Sequence, residues 1–419
     1  MINDILYNRV SHFPNKNFIN YEGNNYNYQK FNNIVESIAI FIDNQYQNTF
    51  LNININDKLL LFASLIACNR VDKVPVLVSV LNNHLVDIDD EIIQKVKICS
   101  SEHYKSKRYN GNDTQAVVFS SGTTDKPKGC ELTYNNFYYN SLIWNENFNF
   151  TQNDIYINIL PINHVGGLCI MFRALYNNFS VRIADYSLHY LSTLNKTHFS
   201  FISLVPAMLY DIINNSLESN FRNTKKIIIG GSKINAHLIK ESLNCRLSLH
   251  AVYGMTETCS GIAGSDINMC NYKKIRYMPF SNVHIDVNKS KIFITSDTIM
   301  KKYYKQSIEF KNFEANDYGT LFSDGSFTVN GRSDTTIISG GENFSKTLIE
   351  DHINNIPDII RSRVIGVEDE KWGQKIIAFI ETENKFIDMN NILPLLESKI
   401  AKKMIPKHIY IVPCIDNIN

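Results

Sequence analysis

Short apolar, β-branched runs alternating with stretches of helical length constrain this chain more than any other feature. QAVVFS (115–120), IYINIL (155–160), FISLV (201–205), KKIIIGG (225–231) and LSLHAVYG (247–254) read as buried strands, each closing on a small or turn-forming residue. The segments 133–145 and 234–243 between them have helical length. A strand that is apolar along its whole length needs cover on both faces, and intervening helices supply it. The pattern therefore predicts an α/β architecture with layered, largely parallel sheets.

Past residue 285 the texture changes. KIFIT (291–295), GTLFSDGSFTV (319–329) and VNG (329–331) read as short strands with Asp-Gly and Asn-Gly turns, a β-hairpin-rich portion. After GRSD (331–334) comes a compact α+β pattern. It has a helix near 345–356, strands RVIGV (363–367) and KIIAFIE (375–381), an amphipathic helix near 388–403, and a last strand IYIV (409–412). The reading divides the chain at the Arg332–Asp334 turn into a large N-terminal domain, 1–333, and a small C-terminal domain, 334–419.

Composition excludes several classes of function. Across 419 residues, Lys plus Arg is 42 and Asp plus Glu is 41, so no net charge points to nucleic acid or to anionic lipid. No apolar run approaches the ~20 residues that span a bilayer, and MINDILYNRV lacks the long apolar stretch of a signal peptide. Eight dispersed cysteines include no C-x-x-C pair, which fits a reducing cytosol. The expectation is a soluble cytoplasmic protein with neither nucleic-acid nor membrane partners; a homo-oligomer is left open.

VVFSSGTTDKPKG (117–129) carries the chemistry. A buried strand delivers the chain into a loop whose small residues let backbone N–H groups approach phosphate oxygens. The hydroxyls of Ser120, Ser121, Thr123 and Thr124 add donors around Gly122, and Lys126 and Lys128 add charge. The G-x-x-x-x-G-K-[ST] spacing of a Walker loop is absent.

This loop resembles the signature of the adenylate-forming superfamily of acyl- and aryl-CoA ligases, luciferases and peptide-synthetase adenylation domains. Asp125 stands where glycine is usual, which is expected to spare the fold and alter loop mobility. Further similarity follows in family order: LPINHVGG (160–167), Gly230-Gly231-Ser232, YGMTET (253–258), EANDYG (314–319), SGGENFS (339–345) and EDEKWGQ (368–374). Taken singly, His164 reads as a satisfied histidine, Gly-Gly-Ser and Asp317 as turn residues, Glu257 as a helix-start acid and Trp372 as packing. Their joint order overturns those readings.

The resemblance implies the roles. Tyr253 stacks on adenine, with Gly230, Gly231, Ser232, Gly254 and Met255 around the nucleotide. Thr256 contacts the α-phosphate and Glu257 holds Mg²⁺; Asp317 binds both ribose hydroxyls, and Arg332 follows it. His164 and Gly231 face the acid, with Arg173 or Ser203 as further candidates for a substrate carboxylate or ketone. A carboxylic acid attacks the α-phosphorus of ATP, with Lys128 and the loop on the pyrophosphate, and CoA then displaces AMP. Between the two steps the small domain turns about a hinge near Asp334, bringing Gly340, Gly341 and Trp372 to the site. YGMTETCS, IISGGEN and EDEKWGQ in a short chain look most like ligases acting on o-succinylbenzoate in menaquinone biosynthesis. Another aryl or short-acyl acid, carrier-protein loading, and a nucleotide-binding relic stay open.

One departure concerns the end of the chain. Family members close with a lysine that reaches the reacting carboxylate, whereas IYIVPCIDNIN stops at Asn419, one residue short of its expected place. Lys402, Lys403 and Lys407 lie too early and read as surface charges. A form of this length is expected to bind adenylate yet adenylate slowly.

Overall fold

A computed structural model describes residues 1–78, 86–98, 104, 106–120, 128–194, 198–332, 336–382, 389–397, 399–413 and 415. Each predicted strand of the first half forms. Thr114–Phe119 belongs to a six-stranded sheet in the order Lys302–Tyr303, Gly129–Thr133, Thr114–Phe119, Val74–Leu77, Phe50–Asn54, Ile88–Asp89. Ile155–Asn158, Phe201–Leu204, Lys226–Ile229 and Leu249–Met255 lie side by side in a nine-stranded sheet, all parallel, joined by Ser180–Ile183 and Asn17–Tyr21. Antiparallel strands close this sheet at both edges. Parallel strands put their carboxyl ends on one side, where ligands of α/β proteins bind.

The helix expected at 133–145 runs from Tyr134 to Phe148. Thr133 and Asn136 cap its start reciprocally, each side chain accepting from the other's backbone N–H. Asn149, left-handed at φ 49°, ends it. The 234–243 stretch forms Ala236–Asn244. Helix Tyr134–Phe148 carries Trp144, whose indole N–H donates to the Gly261 carbonyl at 2.8 Å and whose ring lies 3.3 Å from the Arg173 guanidinium. One large apolar cluster joins the two sheets, and a second lies on the other face of the nine-stranded sheet.

The hairpin-rich portion is a four-stranded antiparallel sheet, His284–Asn288, Lys291–Thr295, Phe313–Leu321 and Phe327–Arg332. One expectation is corrected here. Asn330-Gly331 is no turn but lies inside the last strand. Tyr318 faces Gly331 and Gly319 faces Val329, so Asn330 is the extra residue of a β-bulge. The same dipeptide that suits a tight turn also suits a bulge, and only the partner strand decides.

The C-terminal unit has its own core, from Ile337 and Phe344 to Met404 and Ile405. Strands Ile359–Asp369 and Gly373–Thr382 pair over their whole length, with His408–Val412 parallel to the second and helix Lys346–Asn354 alongside. The helix expected near 388–403 is shorter: Met389–Glu397, followed by a 3₁₀ turn at Lys402–Met404. Among the described residues no helix is long and apolar enough to cross a membrane. Cys68, Cys130, Cys169, Cys245, Cys259 and Cys270 are free thiols; Cys99 and Cys414 lie outside the described residues.

The amino-terminal end of two parallel strands in the nine-stranded sheet carries a pH-sensitive tie. Asp266 faces His250 across paired strands and contacts His250 Nδ1 and Lys226 Nζ, both at 2.7 Å. The hydrogen bond from His250, then that from Lys226, holds the Asp266 carboxyl well below the usual range. A depressed carboxylate stabilises the fold above its unfolded pKa of about 3.9, and the gain is lost as pH falls through the folded value. Asp266→Asn should therefore narrow the difference in melting temperature between pH 7 and pH 3; parallel pH profiles for the two proteins would refute this tie.

Candidate functional site

The strand Leu249–Met255 ends in the turn that carries Thr256 and Glu257. Thr258 folds it: its Oγ1 accepts from the Met255 N–H at 3.0 Å and lies 2.9 Å from the Ser260 carbonyl. Cys259 and Ser260 are held at φ 51° and 85°, left-handed backbone that non-glycine residues rarely adopt. A β-carbon on Gly254 would sit 2.1 Å from the Ser260 carbonyl oxygen, so the turn closes only around a glycine.

Residues far apart in the chain meet here. Tyr253 donates its phenol O–H to Asp317 Oδ2 at 2.9 Å, both side chains being buried. Asp317 is paired in register with Arg332. Tyr303 donates to Glu257 Oε1 at 3.1 Å, and the Lys128 ammonium lies over the same Tyr303 ring, 5.2 Å from its centre. The backbone reinforces this junction: the Met300 N–H reaches the Glu257 carbonyl at 2.8 Å, and the Tyr304 N–H reaches that of Gly129 at 2.7 Å. Burial, with the Glu257 carboxylate adding to it, pushes the neighbouring Cys130 thiol well above its ordinary range. Sequence reasoning missed Tyr303, which sits 46 residues after Glu257 on a two-residue edge strand.

Ser120 sits at the mouth of the glycine-rich loop, its N–H bonded to the Lys128 carbonyl at 2.9 Å. Ser121, Gly122, Thr123, Thr124, Asp125 and Lys126 lie outside the described residues, as does Asp334. No group of three or more His, Cys, Asp or Glu side chains among the described residues is placed to hold a metal. A single carboxylate such as Glu257 suits Mg²⁺, which protein sites hold through one or two carboxylates together with substrate phosphates.

His164 is the N-cap of helix Val165–Asn177 but makes no capping hydrogen bond with its side chain. Burial lowers its pKa below the ordinary value; Glu342 opposes this and Lys403, both from the C-terminal unit, adds to it. Arg173 and Ser203 are already engaged: the guanidinium bonds Asn140 Oδ1 at 3.0 and 2.8 Å, and the Ser203 hydroxyl bonds the Tyr156 hydroxyl at 2.6 Å. Gly230-Gly231-Ser232 follows strand Lys226–Ile229, and the Ser232 hydroxyl is buried with no partner among the described residues.

The C-terminal unit closes onto this edge. Gly231 and Gly341 have φ of 86° and 84°, and a β-carbon on Gly341 would lie 2.5 Å from Val205 Cγ1. Gly340 donates its N–H to the Trp372 carbonyl at 2.9 Å. Lys402, Lys403 and Lys407 are exposed, yet Lys403 pairs with Glu342 and Lys407 lies 5.0 Å from the Trp372 ring centre.

This fold and this site define a class. Residues 50–304 match the AMP-binding enzyme family and residues 348–417 the AMP-binding enzyme C-terminal domain, so the chain belongs to that family. Within it, the chain is similar to a 2-succinylbenzoate–CoA ligase of Staphylococcus aureus, at 30% identity over 72% of this chain. It spans 63% of that relative's length. In fold it resembles o-succinylbenzoate CoA synthetase from Bacillus subtilis. The TM-score is 0.87 against a double mutant bound with a product analogue, at 20% identity, covering 99% of this chain and 96% of the other. Against the complex of that enzyme with its acyl-adenylate intermediate it is 0.72, at 21% identity and the same coverage. At equal coverage, the higher score means that more of this chain superposes at once on the product-analogue complex.

Replacing Tyr303 by phenylalanine removes one hydrogen bond to Glu257 and keeps the ring beneath Lys128. We expect the Mg²⁺ concentration for half-maximal pyrophosphate exchange to rise about tenfold, with a smaller change at saturating Mg²⁺. An unchanged Mg²⁺ dependence would show that Tyr303 only packs.

Proposed function

We propose that the chain is an ATP-dependent acid–CoA ligase acting on 2-succinylbenzoate. The carrying observation is the meeting of Lys128, Tyr303 and Glu257 beside the Tyr253–Asp317 pair, at the carboxyl ends of parallel strands. In this reading the adenosine lies against Tyr253, with its ribose hydroxyls on Asp317 and with Arg332 nearby. The triphosphate runs towards Lys128 and the loop of Ser120–Lys126, and Thr256 donates to the α-phosphate. Glu257, oriented by Tyr303, would hold Mg²⁺, which neutralises phosphate charge when bound. As the acid's oxygen attacks the α-phosphorus, negative charge builds on phosphate oxygens. Fixed cations and donors meet it without having to reorganise.

In this reading His164, whose pKa burial lowers, faces the acid together with Gly231. In the second step the CoA thiol displaces AMP, with Gly340, Gly341 and Trp372 lining its approach after a turn near Asp334. The choice of acid is supported by the relatives of the same description. A cytoplasmic location is supported by the dispersed free thiols.

Pyrophosphate exchange across a panel of carboxylic acids, followed by product analysis with and without CoA, tests this. Exchange with 2-succinylbenzoate and a CoA thioester product are expected. Exchange confined to fatty or amino acids would overturn the substrate, and an acyl-adenylate that CoA never consumes would favour carrier-protein loading.

A further inference from the structure

Helix Pro206–Asn214 starts directly after Val205, the residue on which Gly341 packs, and presents Asp211. Two groups converge on that carboxylate. Tyr186, from the same large domain, donates its phenol O–H to Oδ2. Lys371, from the turn between the two long strands of the C-terminal unit, brings Nζ to 2.6 Å from Oδ1. The turn is itself fixed, because Asp369 Oδ1 accepts from the N–H groups of Lys371 at 3.0 Å and of Trp372 at 2.8 Å. The Lys371 ammonium also stands 6.0 Å from the Tyr210 ring centre and 5.2 Å from that of Trp372.

Two ion pairs among the described residues join the C-terminal unit to the rest of the chain. Lys233–Glu368 spans 3.8 Å with side chains 87% and 90% exposed, a geometry worth little in water. Lys371–Asp211 is shorter, and its side chains are only 34% and 14% exposed. Burial and the Asp211 charge both raise the Tyr186 phenol above its ordinary pKa, so it stays a donor. None of these residues belongs to the nucleotide or acid machinery.

We infer that Asp211, shared by Tyr186 and Lys371, is the catch that holds the C-terminal unit in its thioester-forming orientation and releases it for adenylation. The inference rests on the two-step reading above. It is supported by the better superposition on the product-analogue complex than on the acyl-adenylate complex. Any turn of the small unit about a hinge near residue 334 carries Lys371 away from Asp211, while Tyr186 stays with the carboxylate in its own domain. Asp211 and Lys371 are positioning residues in this reading: they act by populating one arrangement.

The test separates the half-reactions in the full chain. Adenylation is followed by pyrophosphate exchange with 2-succinylbenzoate, and thioester formation by adding CoA to chemically prepared 2-succinylbenzoyl adenylate. In Asp211→Asn and in Lys371→Met, thioester formation should fall roughly fivefold while exchange changes less than about twofold, the scale of one partly shielded charge pair. The double variant should be no slower than either single one, because both remove the same contact. Equal slowing of both half-reactions, no slowing of thioester formation, or additive losses in the double variant would each overturn the catch. A wild-type chain inactive in both assays with every acid tried would instead remove the two-step reading on which the catch rests.

Discussion

Glu257→Gln should lower pyrophosphate exchange by about two orders of magnitude while leaving the fold and its melting temperature nearly unchanged, because one charge is lost and no packing is. The glutamine amide oxygen still accepts from the Tyr303 O–H, and the Glu257 backbone carbonyl still accepts from Met300. The turn that carries it is held by Thr258 and by the left-handed Cys259 and Ser260, which the substitution does not touch. What disappears is the carboxylate proposed to hold Mg²⁺ against the phosphates. The loss should therefore be greatest at low Mg²⁺ and only partly recovered at high Mg²⁺. Exchange within about threefold of wild type across the Mg²⁺ range would remove Glu257 from the metal role, far below the loss expected when a transition-state charge partner goes.

Arg70→Met should cost the protein about 3–5 kcal/mol, a drop on the order of 10 °C in melting temperature. Arg70 lies in the core with Nε 3.0 Å from Asp4 Oδ2 and Nη1 2.5 Å from Glu36 Oε1. All three side chains are at most 5% exposed. Methionine fills similar space but leaves two buried carboxylates without their cation, and that desolvation, more than the lost attraction, sets the cost. The triad knots the first helix, Ile5–His12, through the Asp4 cap, to helices Tyr28–Gln45 and Lys58–Arg70. It shares no residue with the Glu257–Tyr303–Lys128 cluster, so pyrophosphate exchange at low temperature should persist. A melting temperature within about 2 °C of wild type would show the triad to be energetically neutral, as some buried ion clusters are.

The strands around the site were legible because each is a short apolar run ended by a small residue. LSLHAVYG announces both the strand Leu249–Met255 and the turn after it. The turns at Thr256-Glu257 and Gly230-Gly231-Ser232 were legible for the same reason: a backbone that turns tightly after a strand leaves glycine and hydroxyl residues at fixed spacing. Asn330-Gly331 was misread because a bulge and a hairpin ask for the same residues. Arg70 gave no signal, since its partners Asp4 and Glu36 come from other helices, 66 and 34 positions away. Tyr303 was equally silent: a tyrosine on an edge strand reads as packing until its hydroxyl is seen on Glu257.

Periodicity and turn chemistry act between near neighbours, so the chain alone settles that apolar strands alternate with helices and that the glycine-rich stretch precedes the Tyr253–Glu257 turn. Which distant side chains meet is another matter. That Tyr253 bonds Asp317, that Lys128 and Glu257 share Tyr303, and that Asp211 faces Lys371 all depend on how separate strands, sheets and units pack together. Contacts of that range leave no mark on the residues beside them, because the forces that select them exist only once the layers are assembled.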